Sequence, residues 1–193
     1  MKQTEEWFRD RFRLNLRLFH DRCIGTSIER AHFMISSALK TGNKILIFGN
    51  GGSAAEAQHF AAELVCQFEK KRRALPAIAL STDSSILTAQ SNDYGFASVF
   101  ERQIEALCQP GDVVIGLTTS DAGNFEHSGN VSQAFGMARK KKGKSIGLFS
   151  AKTKYLLNFV DLAIIVPEKN TALIQEAHLA IIHLLCKLIE EDL

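Results

Sequence analysis

Five short runs of almost uninterrupted apolar residues, separated by amphipathic stretches, constrain the fold of this chain more than any other feature. The runs cover residues 45–48, 77–80, 113–117, 145–149 and 162–166. Continuous apolarity over so few residues is typical of strands covered on both faces, as in a parallel sheet. Helical periodicity is found in the segments 54–68, 84–107 and 131–142, and in a last helix at 171–191. The pattern predicts an α/β fold with a five-stranded parallel, doubly wound sheet, whose ligands bind beyond the carboxyl ends of the strands.

The first forty residues are predicted to be helical. Their apolar residues fall near one face, namely Trp7, Phe8, Phe12, Leu16, Phe19, Ile28, Ala31, Met34 and Ala38. Such aromatic crowding is typical either of a subunit contact or of packing within the chain, and the sequence leaves both open. The length of 193 residues suits one domain over 1–193, with N-terminal helices at 1–40 and an α/β core at 44–193.

Composition and the chain start exclude several classes of protein. A net charge of +2 argues against a nucleic-acid partner, and the short basic runs at 70–73 and 140–142 are expected to be solvated. No secretory signal is visible at the start, and no apolar stretch approaches the roughly 20 residues that span a bilayer. The four cysteines are scattered, which favours reduced thiols and a cytoplasmic location with no membrane contact.

Two loops have the composition of an anion site. The first predicted strand runs into Gly49-Asn50-Gly51-Gly52-Ser53 and then a helix, whose N–H groups and dipole favour an anion next to the Ser53 hydroxyl. The spacing matches neither the dinucleotide fingerprint nor the lysine-bearing nucleotide loop. The third strand ends in Thr118-Thr119-Ser120, and Ser128 precedes the next helix. Each loop alone could be a tight turn or a helix cap, but their convergence on one crevice predicts a phosphate site.

Titratable and amide side chains occur on two of the predicted helices. His59 and Glu63 are four residues apart and share a helix face, which fits a site or a surface ion pair. The last helix carries Gln175, Glu176, His178 and His183 among apolar residues, where a histidine is commonly a core residue with its hydrogen bonds made. Helical periodicity gives no indication that the side chains on these two helices lie close together.

Several segments together resemble the sugar isomerase (SIS) family, and within it the bacterial phosphoheptose isomerases. The matching segments are 49–53, 58–64, 75–80, 91–95, 111–114 and 174–178. They span residues 44–190, and the helical N-terminus is also similar.

The resemblance implies an enzyme, a homotetramer with active sites between subunits. It implies an aldose–ketose isomerase that converts sedoheptulose 7-phosphate to D-glycero-D-manno-heptose 7-phosphate, for lipopolysaccharide or a related glycan. The implied substrate and phosphate-binding residues are Asn50, Gly51, Gly52, Ser53, Asn92, Asp93, Thr118, Thr119, Ser120, Ser128 and Gln175. The implied cofactor is one zinc ion per subunit, with ligands His59, Glu63, Gln175 and His183. Glu63 and His183 are the implied catalytic residues, because the conversion needs a base and a stabiliser of a developing oxyanion.

The spacing of two implied zinc ligands sets a geometric test. Gln175 and His183 are eight residues apart, about 12 Å along a straight helix. We therefore expect either that different subunits supply them to one ion, or that His183 is mainly a proton carrier.

The chain also departs from the family pattern. Residues 121–127 are inserted before Ser128 and carry acidic groups that would repel a phosphate if they pointed inward; the insertion is either a lid or substrate determinant, or a surface excursion. Residues 150–155 replace a glycine-rich turn, and Leu173 stands where an arginine is common.

Two other functions stay open at this point. A non-catalytic relative that assists the DNA-replication initiator protein is similar over much of 54–62, but it lacks the glutamate and the histidine at positions 63 and 183, which favours an enzyme here. The other alternative is an isomerase, or a sensing module, for another sugar phosphate.

Overall fold

A computed structural model describes residues 1–121 and 129–193. It contains one five-stranded, all-parallel sheet in the order β2-β1-β3-β4-β5. The strands are β1 (Ile45–Gly49), β2 (Ala77–Ala79), β3 (Val113–Leu117), β4 (Lys144–Ser150) and β5 (Leu162–Val166). The helices are α1 (Lys2–His20), α2 (Arg22–Lys40), α3 (Gly52–Val65), α4 (Ser84–Tyr94), α5 (Val99–Leu107), α6 (Gly129–Lys140) and α7 (Thr171–Asp192). The predicted fold class is confirmed.

The apolar runs form strands because both faces of the sheet are covered by helices. β1 and β3 are buried at every position and pair in register, with Ile47 opposite Ile115. The edge strands β2 and β5 are partly exposed. Burial thus decreases from the centre of the sheet to its edges.

Two apolar clusters lie on opposite faces of the sheet. One packs α2, α3 and α7 against side chains such as Ile47, Ile115 and Ile164. The other packs α5 and α6 against Leu46 and Phe48. Adjacent strand residues point to opposite faces, so each run supplies both cores.

The N-terminal helices are present as predicted, and they meet at Asp21. Its carboxylate accepts hydrogen bonds from the N–H groups of Cys23 and Ile24 and so caps α2. α2 is buried along one face, whereas α1 leaves its aromatic side chains uncovered, with Phe12 63% and Phe19 83% exposed. Packing within the chain therefore does not account for the aromatic crowding.

The segment 84–107, predicted as one helix, is broken. Gly95 has a φ of +89°, outside the helical region, and α4 ends there. A short 3-10 turn at Phe96–Ser98 leads into α5. The other helix boundaries shift by a few residues, since α3 begins at Gly52 and ends at Val65, before the predicted end at position 68.

α7 is long and apolar enough to span a membrane by length and composition, contrary to the sequence expectation. Half of the window that meets this test is buried inside the protein, and α7 packs against α2 and α3. This arrangement is that of a core helix.

Candidate active site

The site lies where the strand order reverses. From β1 the chain proceeds to the edge strand β2, whereas from β3 it proceeds to β4 on the other side. The loops after β1 and β3 therefore diverge and leave a crevice beyond the strand ends, which is where doubly wound sheets bind ligands.

The loop after β1 forms an anion cradle. Gly51, with a φ of +54°, is the N-cap of α3, and no acidic residue lies in the first turn of that helix. The first N–H groups of a helix have no acceptor within it, and the helix dipole is positive at this end. Ser53 is buried at this helix start, and its N–H donates to the Asn50 carbonyl at 2.9 Å. We refer to residues 50–53 as the cradle.

A pair of side-chain amides joins the cradle to the start of α6. Asn50 Nδ2 donates to Asn130 Oδ1, and Asn130 Nδ2 donates to Asn50 Oδ1, both at 2.9 Å. Asn130 is buried and is the second residue of α6. The starts of α3 and α6 are therefore held together at the crevice.

The hydroxyl residues after β3 form a compact turn. The Thr118 and Ser120 hydroxyl oxygens are 3.2 Å apart, and the Ser120 N–H donates to Thr118 Oγ1 at 3.1 Å. Ser150 Oγ, at the end of β4, donates to the Thr119 carbonyl at 3.1 Å. β4 therefore fixes the turn from beside it. Ser128, the further predicted phosphate ligand, lies outside the described residues.

Asp121 is bound to the next loop. Its carboxylate accepts hydrogen bonds from the N–H groups of Lys154, Tyr155 and Leu156 at 2.8 to 3.2 Å. The segment that replaces the family's glycine-rich turn is therefore anchored by the first residue of the insertion. The remainder of the insertion, at 122–127, lies outside the described residues. The lid hypothesis concerns this segment and stays a hypothesis.

α7 contacts α3 at two places. At the cradle, a Cβ atom on Gly52 would collide with the side-chain amide of Gln175, so the missing side chain lets Gln175 lie directly on the helix start. About two turns further along both helices, His59 Nε2 lies 2.8 Å from His183 Nε2. One chain therefore brings Gln175 to the cradle and His183 to His59, but it does not bring Gln175 and His183 together.

His59, Glu63 and His183 form the second part of the site. Glu63 Oε1 lies 3.6 Å from His59 Nε2, on the preceding turn of α3. The His59 and His183 rings meet edge to face, with centroids 5.0 Å apart. The His59 and Glu63 side chains are 38% and 21% exposed, so the cluster borders solvent. The cluster thus lies about 10 Å (His59) to 15 Å (Glu63) along α3 from the cradle.

The family follows from comparison with known proteins. A family model described as the SIS domain matches residues 19–150. A phosphoheptose isomerase of Pelobacter propionicus is 54% identical over 156 residues, which is 81% of this chain and 80% of that protein. The chain belongs to the phosphoheptose isomerase family of SIS-domain proteins.

Solved structures of this family share the whole architecture. A phosphoheptose isomerase from Francisella tularensis superposes with a TM-score of 0.91 at 34% identity, covering 98% of this chain and 97% of that one. One from Neisseria gonorrhoeae gives a TM-score of 0.89 at 36% identity, covering 98% of both chains. The family and fold inferred from the sequence motifs are confirmed.

The side chains of His59, Glu63 and His183 are of the types that bind zinc. Zinc binds imidazole nitrogen and carboxylate oxygen, and two nitrogens on one tetrahedral ion lie roughly 3.3 Å apart, close to the His59–His183 separation of 2.8 Å. In the described parts of the chain, no group of three or more His, Cys, Asp or Glu side chains is arranged to hold a metal. His59 approaches His183 and Glu63 pairwise, at 2.8 and 3.6 Å.

A neighbouring cysteine is buried and uncharged. Burial, together with the Glu63 and Glu190 carboxylates, raises the pKa of the Cys186 thiol to about 12. Cys186 is therefore a neutral thiol at physiological pH.

Asn92 and Asp93 lie in the last turn of α4. Both are exposed, and Asn92 Nδ2 donates to Asp93 Oδ1 at 2.8 Å. Their predicted contact with substrate stays a prediction.

Sequence reasoning missed a buried pair of side chains, Glu56 and His178, behind the candidate site. Glu56, in α3, lies 3.9 Å from the Nδ1 atom of His178, which is fully buried. His178 Nε2 is 3.1 Å from the Phe149 carbonyl oxygen. Among the described residues, neither Glu56 oxygen nor His178 Nδ1 has a hydrogen-bond partner. The sequence did contain a signal of this pair, because Glu56 falls on the same helix face as the apolar residues that α3 buries.

Proposed function

We propose that this chain converts sedoheptulose 7-phosphate to D-glycero-D-manno-heptose 7-phosphate, an aldose–ketose isomerisation. The observation that carries the proposal is that α3 bears an anion cradle at its start and an acid–imidazole cluster two to three turns later. Its membership of the phosphoheptose isomerase family supports an enzyme of this type.

The cradle and the hydroxyl turn bind the phosphate in this proposal. The helix start of α3 offers N–H groups and a positive dipole end. Ser53, Thr118 and Ser120 add hydroxyl groups at the crevice. Gln175, lying on Gly52, is available to bind the sugar next to the phosphate.

Glu63 and His183 share the proton transfers. One removes a proton from C1 of the ketose, the released electron pair forms the C1–C2 double bond of an enediol, and O2 gains a proton. O1 then loses its proton as the C1 carbonyl forms, and C2 gains a proton. No proton or electron is gained overall, so no redox partner is needed. Positioned acids and bases of this kind contribute about 10²- to 10⁴-fold in rate.

We further propose one zinc ion per subunit, held by His59, Glu63, Gln175 and His183. A bound zinc ion polarises the sugar oxygens and stabilises the negative charge that develops on them. Because one chain holds Gln175 at the cradle and His183 at His59, a second copy is proposed to supply the missing ligand. The alternative, in which His183 is mainly a proton carrier, makes no such demand.

A homotetramer is proposed as the working form. α1 and α2 expose several large apolar side chains, namely Trp7, Phe8, Phe12, Leu16, Phe19 and Phe33. Exposed apolar area of this kind is typical of an interface between subunits. A cytoplasmic location, and a role in making heptose for lipopolysaccharide or a related glycan, complete the proposal.

The test is to incubate the purified protein with sedoheptulose 7-phosphate, with and without added zinc, and to detect the aldose product by NMR. We expect conversion that a chelator removes and zinc restores. Ser53→Ala should raise KM more than tenfold with little change in kcat, because a hydrogen bond to a charged group contributes about 1.5–3 kcal/mol. Absence of product, together with tight binding to a DNA-replication initiator protein, would select the adaptor function instead.

A further inference from the structure

The imidazole of His183 is covered by an aromatic ring from the segment that follows α3. The Phe68 and His183 rings stack, with centroids 5.3 Å apart and planes inclined by 21°. Since His59 meets the same imidazole edge to face, the ring of His183 is confined from two directions. Phe68 lies outside regular secondary structure, so something else must hold it in place.

Glu190 holds the backbone of that segment. Its carboxylate, on α7 two turns after His183, accepts hydrogen bonds from the N–H groups of Phe68, Glu69 and Lys70, each at 2.8 Å. The Glu190 side chain is only 1% exposed. Three successive N–H groups on one carboxylate fix both the position and the direction of the chain at Phe68.

Arg72 closes the network onto the end of α3. Its Nε atom lies 3.0 Å from Glu190 Oε1, and its terminal nitrogens donate to the carbonyl oxygens of Glu63 and Leu64 at 2.6 and 2.9 Å. The arginine is therefore buried within a run of basic residues that was expected to be solvated. Arg72 therefore links two helices: it pairs with Glu190 on α7, the helix that carries His183, and it donates to the Glu63 carbonyl near the end of α3.

We propose that Phe68 is a positioning residue for His183, and that the Glu190–Arg72 pair acts through it by fixing the segment that presents the aromatic ring. The inference rests on the proposed proton-transfer role of His183. It adds two requirements to that role, a stacked ring and a buried ion pair, neither of which touches substrate.

The physical argument is one of orientation. Proton transfer requires a nitrogen within hydrogen-bond reach of a defined atom, and a misplacement of about 1 Å can cost roughly 100-fold in rate. A partly exposed imidazole on a helix surface has rotational freedom that stacking removes. Burial alone would raise the pKa of the Glu190 carboxyl, but the three N–H donors and Arg72 together hold it below its usual value, so the carboxylate stays ionised at neutral pH.

The chain offers a matched control outside the network that involves Phe68, Glu190 and Arg72. Asp112 is 1% exposed, pairs with Lys44 Nζ at 2.6 Å, and accepts hydrogen bonds from the N–H groups of Lys44 and Gln109. It lies just before β3, at the amino ends of the strands, and its carboxylate contacts Lys44 and Gln109 rather than the segment that carries Phe68. Asp112→Asn and Glu190→Gln therefore remove the same kind of buried charge, one away from the site and one behind it.

The first experiment compares these two variants in the full-length protein. We expect Glu190→Gln to lower kcat about tenfold with KM within about twofold, since the cradle is untouched. Asp112→Asn should keep kcat within about twofold of wild type at temperatures where both are folded. Equal kcat values for the two variants would overturn the proposal.

The second experiment addresses Phe68 itself and does not depend on turnover. Phe68→Leu should lower kcat about tenfold, and Phe68→Tyr should restore it to within about twofold because the ring is kept. In histidine-labelled protein, the ring protons of His183 should be shifted upfield by the stacked ring in wild type and in Phe68→Tyr, and should lose that shift in Phe68→Leu. An unshifted His183 signal in wild type would refute the stacking. A shifted signal with no turnover of sedoheptulose 7-phosphate by wild type would instead refute the proposed function.

Discussion

The two histidines of α7 have the same chemistry and opposite surroundings. His178 is fully buried against Phe149 and Glu56, whereas His183 meets His59 and Phe68 at the border of solvent. Five residues along a helix turn a side chain by about 140°, so one faces the sheet and the other faces the candidate site. On one apolar helix, the angular position of a histidine alone therefore decides whether it lies in the core, as His178 does, or at the candidate site, as His183 does.

The largest expected effect is at the exposed histidine. His183→Asn should lower kcat about 1,000-fold, because a positioned general acid or base contributes roughly 10²- to 10⁴-fold. The melting temperature should change by no more than about 4 °C, since the ring is partly exposed. Steady-state turnover of sedoheptulose 7-phosphate and thermal unfolding measure both. A kcat within tenfold of wild type would break the comparison.

The buried histidine should respond in the opposite sense. His178→Leu removes the hydrogen bond to the Phe149 carbonyl and the imidazole that lies beside the buried Glu56 carboxyl, so the free energy of unfolding should fall by about 3 kcal/mol. Urea denaturation measures the loss. The kcat of the folded protein should stay within a few-fold of wild type, and a selective loss of kcat at full stability would assign His178 to catalysis.

Acid should remove the contribution of Glu190, on the same half of α7 as His183. Because the pKa of this carboxyl is lowered in the folded protein, its stabilisation is present above its usual range and is lost as the pH falls through the folded value. Glu190→Gln should therefore cost about 2 kcal/mol at pH 7 and progressively less below about pH 4. Urea unfolding across this range measures the difference. The exposed neighbour variant Glu191→Gln is the control and should show no such trend; a cost independent of pH contradicts the prediction.

The smallest effect is expected at Glu56. Glu56 Oε2 lies 3.9 Å from His178 Nδ1, which is too far for a hydrogen bond, so exchanging the carboxyl for an amide removes no direct hydrogen bond. Glu56→Gln keeps the size and polarity of the side chain and should change the free energy of unfolding by no more than about 1 kcal/mol. Chemical denaturation beside the matched loss-of-polarity variant Glu56→Leu measures this, and a loss above about 2 kcal/mol for Glu56→Gln would contradict the prediction.

Much of the fold was predictable because it depends on local pattern. The five apolar runs became the five strands, and the glycine loop after β1 became the start of α3. The break at Gly95 was not predicted, since helical periodicity continues on both sides of it and only the backbone angle reveals the change.

The candidate site was predictable in its parts but not in its assembly. Family motifs identified His59, Glu63 and His183, whereas their mutual distances depend on how α7 lies along α3, which no local pattern encodes. The burial of Arg72 was missed for the same reason, because its partner Glu190 lies far away in sequence. How two helices that are distant in sequence align against each other cannot be inferred from the local pattern of one sequence.

The bare backbone at Gly52 has a mechanical consequence. Because Gln175 is seated directly on it, any residue with a side chain at position 52 would have to displace the Gln175 amide from the start of α3. The absence of a side chain at this one position therefore sets how closely α7 can approach α3 at the cradle.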